Sequence, residues 1–260
     1  MNIRKRLIER RDWNESGSFA DNPVLTAGDY IMVGTDRIHL LEDHIDGRVA
    51  DVTGRKIDVT IFASRHSAAS GIPTLTVHPI GNYSTAEFGG ESGRLPPASP
   101  QIMTEALRIL RRRSEGMEFK VSFETTHHGP LTDGPAFFIE IGSDEGYWER
   151  EDASDAIADT ILSIEETRHP AIVCVGGGHY APRFTDLALS RKVAIGHMAA
   201  NYALESLDDE MIGQMASASM AADKVYFNKK GMPKPKYREL RGRFASCGIS
   251  EISSDDLEPL

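Results

Sequence analysis

The chain is poor in the features that mark exported, membrane-bound or nucleotide-dependent proteins. Its 260 residues hold two cysteines, Cys174 and Cys247, too few for a disulfide framework. A reducing compartment is therefore expected, and Cys174, inside the apolar run Ala171–Val175, reads as a small buried residue. That run is among the longest apolar stretches and is far too short to span a bilayer. The basic start, Met1 to Arg11, is not followed by the apolar core of a signal peptide, so the expected location is cytoplasmic. Four chemical signatures are missing: HExxH, CxxC, GxGxxG and the P-loop. A nucleotide cofactor and a metalloprotease-type helix are thereby excluded as simple readings.

A basic surplus is also absent. The formal net charge is −10, which argues against a protein covered in nucleic-acid contacts. One stretch departs from the average. Between Lys229 and Arg243 there are seven basic residues and one acid, so this segment carries +6 and the remainder −16. Lys234, Lys236 and Arg238 are its candidate phosphate contacts. A smaller basic group is Arg108 with Arg111, Arg112 and Arg113.

What the chain does have is an ordinary globular composition, 40% hydrophobic and 26% charged. One domain over residues 1–260 is expected, with the acidic tail 250–260 frayed. The pattern alternates strands and helices. Strands are predicted over Ile57–Ala63, Thr74–Val77, Phe119–Thr125, Pro135–Ile141, Ala171–Val175, Val193–Ile195 and Asp223–Phe227. Ser99 and Pro100 open a helix with Ile102, Ala106, Ile109 and Leu110 on one face. Ser154 opens another, with Ile157, Ile161 and Ile164. Asp208 caps a third, and a basic helix starts near Lys236 with Tyr237, Leu240 and Phe244 inward. This order predicts an α/β fold, a mostly parallel or mixed central sheet with helices on both faces. The short link between Phe119–Thr125 and Pro135–Ile141 leaves no room for a helix, so these two strands are expected to pair antiparallel.

Six of nine histidines sit just past predicted strands: His66, His78, His127, His128, His179 and His197. If the strands are parallel, their imidazoles meet on one rim, where open α/β sheets bind ligands. Gly129-Pro130 ends the strand before it, so His127 and His128 can turn to one task. Imidazole serves as general base or as metal ligand. The candidate metal set is His127, His128, His179 and His197. Glu124 is a candidate to orient one of these rings. Glu140, inside an apolar strand, is set aside because the hairpin places it far from His127. Gly176, Gly177 and Gly178 form a loop whose amides suit a phosphate or an oxyanion. His78, Asn82 and Thr125 are candidate substrate contacts, and Thr126 a further catalytic candidate.

Several stretches together resemble the archaeal-type D-aminoacyl-tRNA deacylases, a family also found in plants. They are Ser64-Arg65-His66-Ser67, Leu75-Thr76-Val77-His78, Gly81-Asn82-Tyr83, Thr125-Thr126-His127-His128-Gly129-Pro130, Phe138-Ile139-Glu140-Ile141-Gly142-Ser143 and Gly176-Gly177-Gly178-His179-Tyr180-Ala181-Pro182-Arg183-Phe184. The match runs from about Ile57 to Ile249. It implies hydrolysis of the ester joining a D-amino acid to the 3′ ribose of tRNA, a translation quality-control step. It also implies zinc, and a fold related to peptidyl-tRNA hydrolases and nucleoside phosphorylases. Before Ile57 the match weakens: Arg11-Asp12-Trp13-Asn14-Glu15-Ser16 stands where the family has an Asp-Pro-Ala-Ser-like loop. Two other functions fit the residues alone. One is a zinc-dependent hydrolase of small esters or amides; the other is a non-catalytic nucleic-acid module, which leaves the histidines idle. Nothing in the sequence demands a dimer, so a monomer acting on aminoacyl-tRNA is expected.

Overall fold

The structure is a computed structural model and describes residues 2–69 and 71–260. Helix α1 (Asn2–Glu9) leads into a three-stranded antiparallel meander, β1 (Asn14–Phe19), β2 (Asn22–Ala27) and β3 (Tyr30–Met32). Helix α2 (Ile45–Thr53) follows. Then come β4 (Thr60–Arg65), β5 (Thr74–Pro79), α3 (Pro100–Arg113), β6 (Lys120–Phe123) and β7 (Ala136–Gly142). The remainder is α4 (Glu145–Trp148), α5 (Glu151–Ile161), β8 (Ala171–Val175), α6 (Pro182–Ser190), β9 (Ala194–Ala199), α7 (Asp209–Ser217), β10 (Lys224–Phe227), α8 (Lys234–Ser246) and β11 (Ser250–Glu251). The α/β expectation holds. Its strands are divided between two four-stranded sheets, one mixed and one parallel, with helices packed against them. No helix among the described residues is long and apolar enough to cross a membrane.

The parallel sheet has the order β11-β10-β8-β9. Its strand β8 is buried on both faces, as the unbroken apolar run requires. Ile172 and Cys174 enter one apolar cluster, while Val173 and Val175 enter another beneath α7 and α8. Asp208 caps α7 by accepting the Met211 amide proton at 2.8 Å. The tail does not fray. Ser250–Glu251 adds a parallel edge strand to β10, Leu257 is buried, and the Leu260 amide donates to the Ser190 carbonyl.

The mixed sheet has the order β4-β7-β5-β6. The expected β6–β7 hairpin is absent because β5 lies between them, parallel to β6 and antiparallel to β7. Pairing is set by burial of a shared face rather than by link length. Ser64 pairs with Glu140, Glu140 with Thr76, and Thr76 with Ser122. Directly opposed residues point to the same side, and strand side chains alternate. All even-numbered residues of the four strands therefore share one face. The odd face, with Leu75, Val77, Val121, Phe123, Phe137, Ile139 and Ile141, packs into the main core under α3 and α5. The even face bears Phe62, Thr76, His78, Phe138 and Glu140. Its Phe62–Phe138 end is covered by α2 and the meander through Ile45, Val49, Phe19 and Val24. The other end carries the polar residues.

Candidate active site

Two residues extend this even face past the strand ends. His66 continues β4, its amide donating to the Ile141 carbonyl, and Glu124 continues β6, its amide donating to the Val77 carbonyl. Five imidazoles and two buried carboxylates then converge. Glu124 Oε2 lies 3.1 Å from His179 Nε2 and 3.5 Å from His127 Nε2, and Glu124 Oε1 lies 3.8 Å from His66 Nε2. Glu140 Oε2 lies 3.3 Å from His78 Nε2 and 3.9 Å from His66 Nδ1. The ring centres of His78 and His127 are 4.2 Å apart, and those of His127 and His128 4.4 Å.

Five of the six histidines picked from the sequence thus meet, but not on the rim of a parallel sheet. His66 and His78 come from the carboxyl ends of strands that run in opposite directions, and both reach inward over Glu140. His179 arrives from the other sheet, on the loop after β8. His127 and His128 lie beyond β6, and His128 holds a positive φ of 38°. A non-glycine residue in that region is a sign of backbone strain of the kind found at functional sites.

His197 does not join the cluster. It lies within β9, fully buried. Its Nε2–H donates to the Pro96 carbonyl at 2.9 Å, which leaves Nδ1 to accept from the Thr126 hydroxyl at 3.1 Å. With both nitrogens spent inside the protein it has no lone pair to offer a metal. Burial pushes its pKa down to about 4. Thr126 is committed as well: its hydroxyl also accepts from the Met198 amide, tying β9 to the loop after β6.

The ring tautomers of the central histidines follow from their partners. Nδ1 of His78, His127 and His128 faces the carbonyls of Pro79, Thr125 and Gly129 at 3.2, 2.7 and 2.6 Å. A carbonyl only accepts, so each Nδ1 carries a proton. The neutral rings of His127 and His128 keep their lone pairs on Nε2, whereas His78 Nε2 faces Glu140 Oε2 and in its charged form donates to it. These three residues offer ligand atoms within 4.8 Å of one another. The groups His66–Glu124–His179 and His78–Glu124–Glu140 do the same. Burial, then the positive charge of His78, holds His127 and His128 below the ordinary imidazole range, His128 to about 4. His78 goes the other way. Burial opposes its charged form, but the Glu140 hydrogen bond and charge outweigh it. Burial alone would raise the Glu124 carboxyl; the hydrogen bond from His179 and the surrounding imidazoles instead hold it well below the usual range.

Glu140, set aside on the expected hairpin, lies within the histidine cluster. Its signal was an acid inside an apolar strand. Tyr180 has its hydroxyl buried beside that of Thr74, and the hydroxyls of Thr76 and Ser143 and the Oε1 atom of Glu124 are buried with no hydrogen-bond partner among the described residues. Asn82, expected to touch substrate, donates to the carbonyls of Gly89 and Glu91 and so holds its own loop. The triglycine loop is likewise structural in part. The Gly176 amide donates to Ala199, and that of Gly177 to Gly231 and to Asn201 Oδ1. Neither amide is free for an oxyanion. The glycines are needed there because φ is +104° and +93°, and a Cβ on Gly176 would meet Met232 Cε at 2.5 Å. The Gly178 amide has no partner among the described residues.

The basic segment is mostly paired with the protein's own acids. Lys236 binds Glu205 and Glu239, Lys229 and Arg241 bind Glu251, and Arg243 reaches Glu239. Lys230, Lys234 and Arg238 make no ion pair among the described residues. Arg108 is buried and donates to the carbonyls of Ala188, Arg191 and Val193.

Comparison with known proteins agrees with the loops named above. The D-aminoacyl-tRNA deacylase family profile matches residues 53–252. A D-aminoacyl-tRNA deacylase of Thermococcus kodakarensis is 35% identical, over 89% of this chain and 87% of its own length. That of Methanosarcina acetivorans is 31% identical over 98% of this chain and 89% of its own. That of Methanococcoides burtonii is 35% identical over 99% of this chain. The chain spans 54% of the length of that longer relative. The Methanococcoides and Methanosarcina matches take in the N-terminal segment, where the resemblance is weak and where the family profile, starting at residue 53, does not reach. A crystal structure of a conserved protein of unknown function superposes with a TM-score of 0.91 at 30% identity, covering all of this chain and 94% of that one. The chain belongs to the D-aminoacyl-tRNA deacylase family.

Proposed function

We propose that this chain removes D-amino acids from mischarged tRNA by hydrolysing the aminoacyl ester, releasing free D-amino acid and tRNA in the cytosol. The observation that carries the reading is the His179–Glu124 pair set beside three imidazoles whose Nδ1 protons are all held by backbone carbonyls.

His179 is the general base. Its side chain is 35% exposed, against 0% for His78 and 18% for His127, so water and substrate reach it. Nε2–H donates to Glu124, which leaves the Nδ1 lone pair to accept a proton. His179 Nδ1 takes that proton from a water as its oxygen bonds to the ester carbonyl carbon. The ring charge that results is stabilised by Glu124. The same proton passes to the departing 3′ oxygen as the carbon–oxygen bond breaks. An aminoacyl ester is already activated, so this base and one donor to the carbonyl oxygen suffice. The Tyr180 hydroxyl, buried beside the Thr74 hydroxyl, is the candidate donor.

The donor set fits zinc. Two neutral imidazoles with fixed tautomers, His127 and His128, lie with His78 and two buried carboxylates, and Glu124 Oε1 accepts no hydrogen bond among the described residues; nitrogen with carboxylate oxygen is the ligand chemistry of zinc. His78, His127 and His128 would hold it, with Glu124 and Glu140. When bound, zinc supplies a Lewis acid for the ester carbonyl and lowers the pKa of water. Lys234 and Arg238, unpaired on α8, are the proposed phosphate contacts.

The test is release of D-tyrosine from D-tyrosyl-tRNA against L-tyrosine from L-tyrosyl-tRNA, with and without 1,10-phenanthroline. We expect D-selective release that the chelator abolishes and added zinc restores. Equal hydrolysis of both enantiomers rejects the function. Full activity in the chelator rejects the zinc site.

A further inference from the structure

Tyr202 is 62% exposed, yet its hydroxyl and the turn that carries it are hydrogen-bonded to the protein. It lies in the 3₁₀ turn Asn201–Ser206, between β9 and α7. The turn is pinned on both sides. The Asn201 amide donates to the Gly177 carbonyl at 2.8 Å, and its side chain accepts from the Gly177 amide and donates to Gly231. Ala203 and Leu204 are buried in the core beneath α7 and α8. The far end of the side chain is fixed too. The Thr125 hydroxyl donates to the His179 carbonyl, so the Tyr202 hydroxyl donates to Thr125 Oγ1, at 3.2 Å. With its polar tip satisfied internally, Tyr202 presents its ring to solvent. No aromatic ring or cation among the described residues stacks on it.

The tether ends one residue from Glu124, the carboxylate at the centre of the histidine cluster. On the outer side the turn touches Gly231, which lies in sequence between Lys230 and Lys234, two lysines with no acidic partner among the described residues. An exposed aromatic ring is thus tied at its tip to the loop of the cluster and at its base to the segment that carries Lys230 and Lys234. This is the arrangement that binds single-stranded nucleic acid, with a ring for a base and cations for its phosphates. We propose that Tyr202 is the platform on which the terminal nucleobase of the aminoacyl-tRNA stacks. This rests on the deacylase reading above. The ester sits on a ribose whose C1′ carries the base, so a base must lie one sugar's width from the reacting carbonyl.

Phe88 is the competing exposed ring beside the cluster, at 64% exposure, its carbonyl accepting from Gly129. Its surroundings differ. It lies in a loop carrying Glu87 and Glu91; Glu91 is paired with Arg94, while Glu87 makes no ion pair among the described residues and repels a phosphate chain, whereas Glu205 on the Tyr202 turn is neutralised by Lys236. Electrostatics therefore assign the base to the Tyr202 side.

The experiment compares Tyr202→Ala, Tyr202→Phe and Phe88→Ala on three substrates: D-tyrosyl-tRNA, 3′-O-(D-tyrosyl)adenosine and D-tyrosine methyl ester. Loss of one base–aromatic stack is expected to raise KM by about 5- to 150-fold. Tyr202→Ala should do this for the two substrates with a base, with kcat within about twofold, and should leave the methyl ester unchanged. Tyr202→Phe, which keeps the ring and drops the tether, should stay near wild type on all three, as should Phe88→Ala. Equal losses on the methyl ester would make Tyr202 a support of Thr125 and overturn the proposal. So would a Tyr202→Phe defect as large as that of Tyr202→Ala, or a KM defect found in Phe88→Ala instead. Failure of the deacylase reading looks different: wild-type protein that cleaves the methyl ester but releases nothing from D-tyrosyl-tRNA.

Discussion

His78 Nε2 lies 3.3 Å from Glu140 Oε2, although the two residues sit on strands that run in opposite directions. The contact exists because Glu140 pairs with Thr76 in the ladder, and His78 is two residues further along the same face. Both groups are buried, His78 completely. A buried carboxylate of this kind is tolerated only with a charged or metal-bound partner. Glu140→Gln keeps the shape and removes the charge. It should lower deacylase kcat/KM and zinc content together by at least the roughly 10- to 100-fold that disturbing even a residue behind a metal ligand costs. Atomic absorption beside the D-tyrosyl-tRNA assay checks this. Wild-type zinc content and activity in the variant would strike Glu140 from the site.

The convergence of His66, His78, His127, His128 and His179 was legible from their position at strand ends. The reason given by a parallel rim was not the operative one. His66 and His78 meet over Glu140 because even-numbered positions of the four strands share a face, and the loops after β6 and β8 bring His127, His128 and His179 to the same end; parity becomes informative only once the strand order is known. Glu140 was hidden by the same gap. Its acid stood out within Ala136–Gly142, but the β6–β7 hairpin moved it away, and no local pattern announces that β5 inserts between them. The meander Asn14–Met32 was invisible for a different reason. Its first strand, Asn14–Phe19, is exposed at five of six positions, so there is no alternation of burial to read. The basic segment showed its charge but not its partners, because Glu205 and Glu251 are distant in sequence.

Lys234 and Lys236 are neighbours on α8 with different prospects. Lys236 is held by Glu205 at 2.9 Å and by Glu239 at 3.2 Å, whereas Lys234 is unpaired among the described residues. Charge reversal at Lys234 should weaken tRNA binding and reduce the slope of log affinity against log salt by about one, as for loss of one phosphate contact. Lys236→Ala should leave that slope unchanged. Filter binding from low to high salt decides it. A slope altered equally by both variants would mean that the pairing on α8 opens when tRNA binds.

Gly176 occupies φ +104° with its Cα facing the loop after β10. Gly176→Ala forces a Cβ against Met232 and the Asn228 carbonyl, and strains a backbone that L residues avoid. The cost should be about 1–3 kcal/mol of stability, read as a lower urea midpoint with an unchanged slope. The loop anchors Asn201 and hence Tyr202, so KM for D-tyrosyl-tRNA should rise as well. Unchanged stability would show that the loop after β10 yields at no cost.

His197 provides a pH test that separates a structural histidine from a ligand. Its folded-state pKa is depressed to about 4 from an ordinary 6.5. Between these values the unfolded chain binds a proton that the native chain refuses, so native stability falls as pH drops through that window. The residue's share is about 3 kcal/mol at about 1.4 per pH unit. It is fully lost near pH 4 and absent as a penalty above about pH 7. His197→Gln cannot ionise. It should be less stable than wild type at pH 7.5 by about 1–3 kcal/mol, because the Pro96 and Thr126 contacts are weakened. Its stability should then fall less steeply than wild type from pH 6.5 to 4.5. Urea titrations of both proteins across that range give the difference directly, and the other titrating groups cancel between them. Zinc content should match wild type, in contrast to His127→Ala. Parallel pH profiles would show that His197 is protonated when folded, and lost zinc would return it to the ligand set.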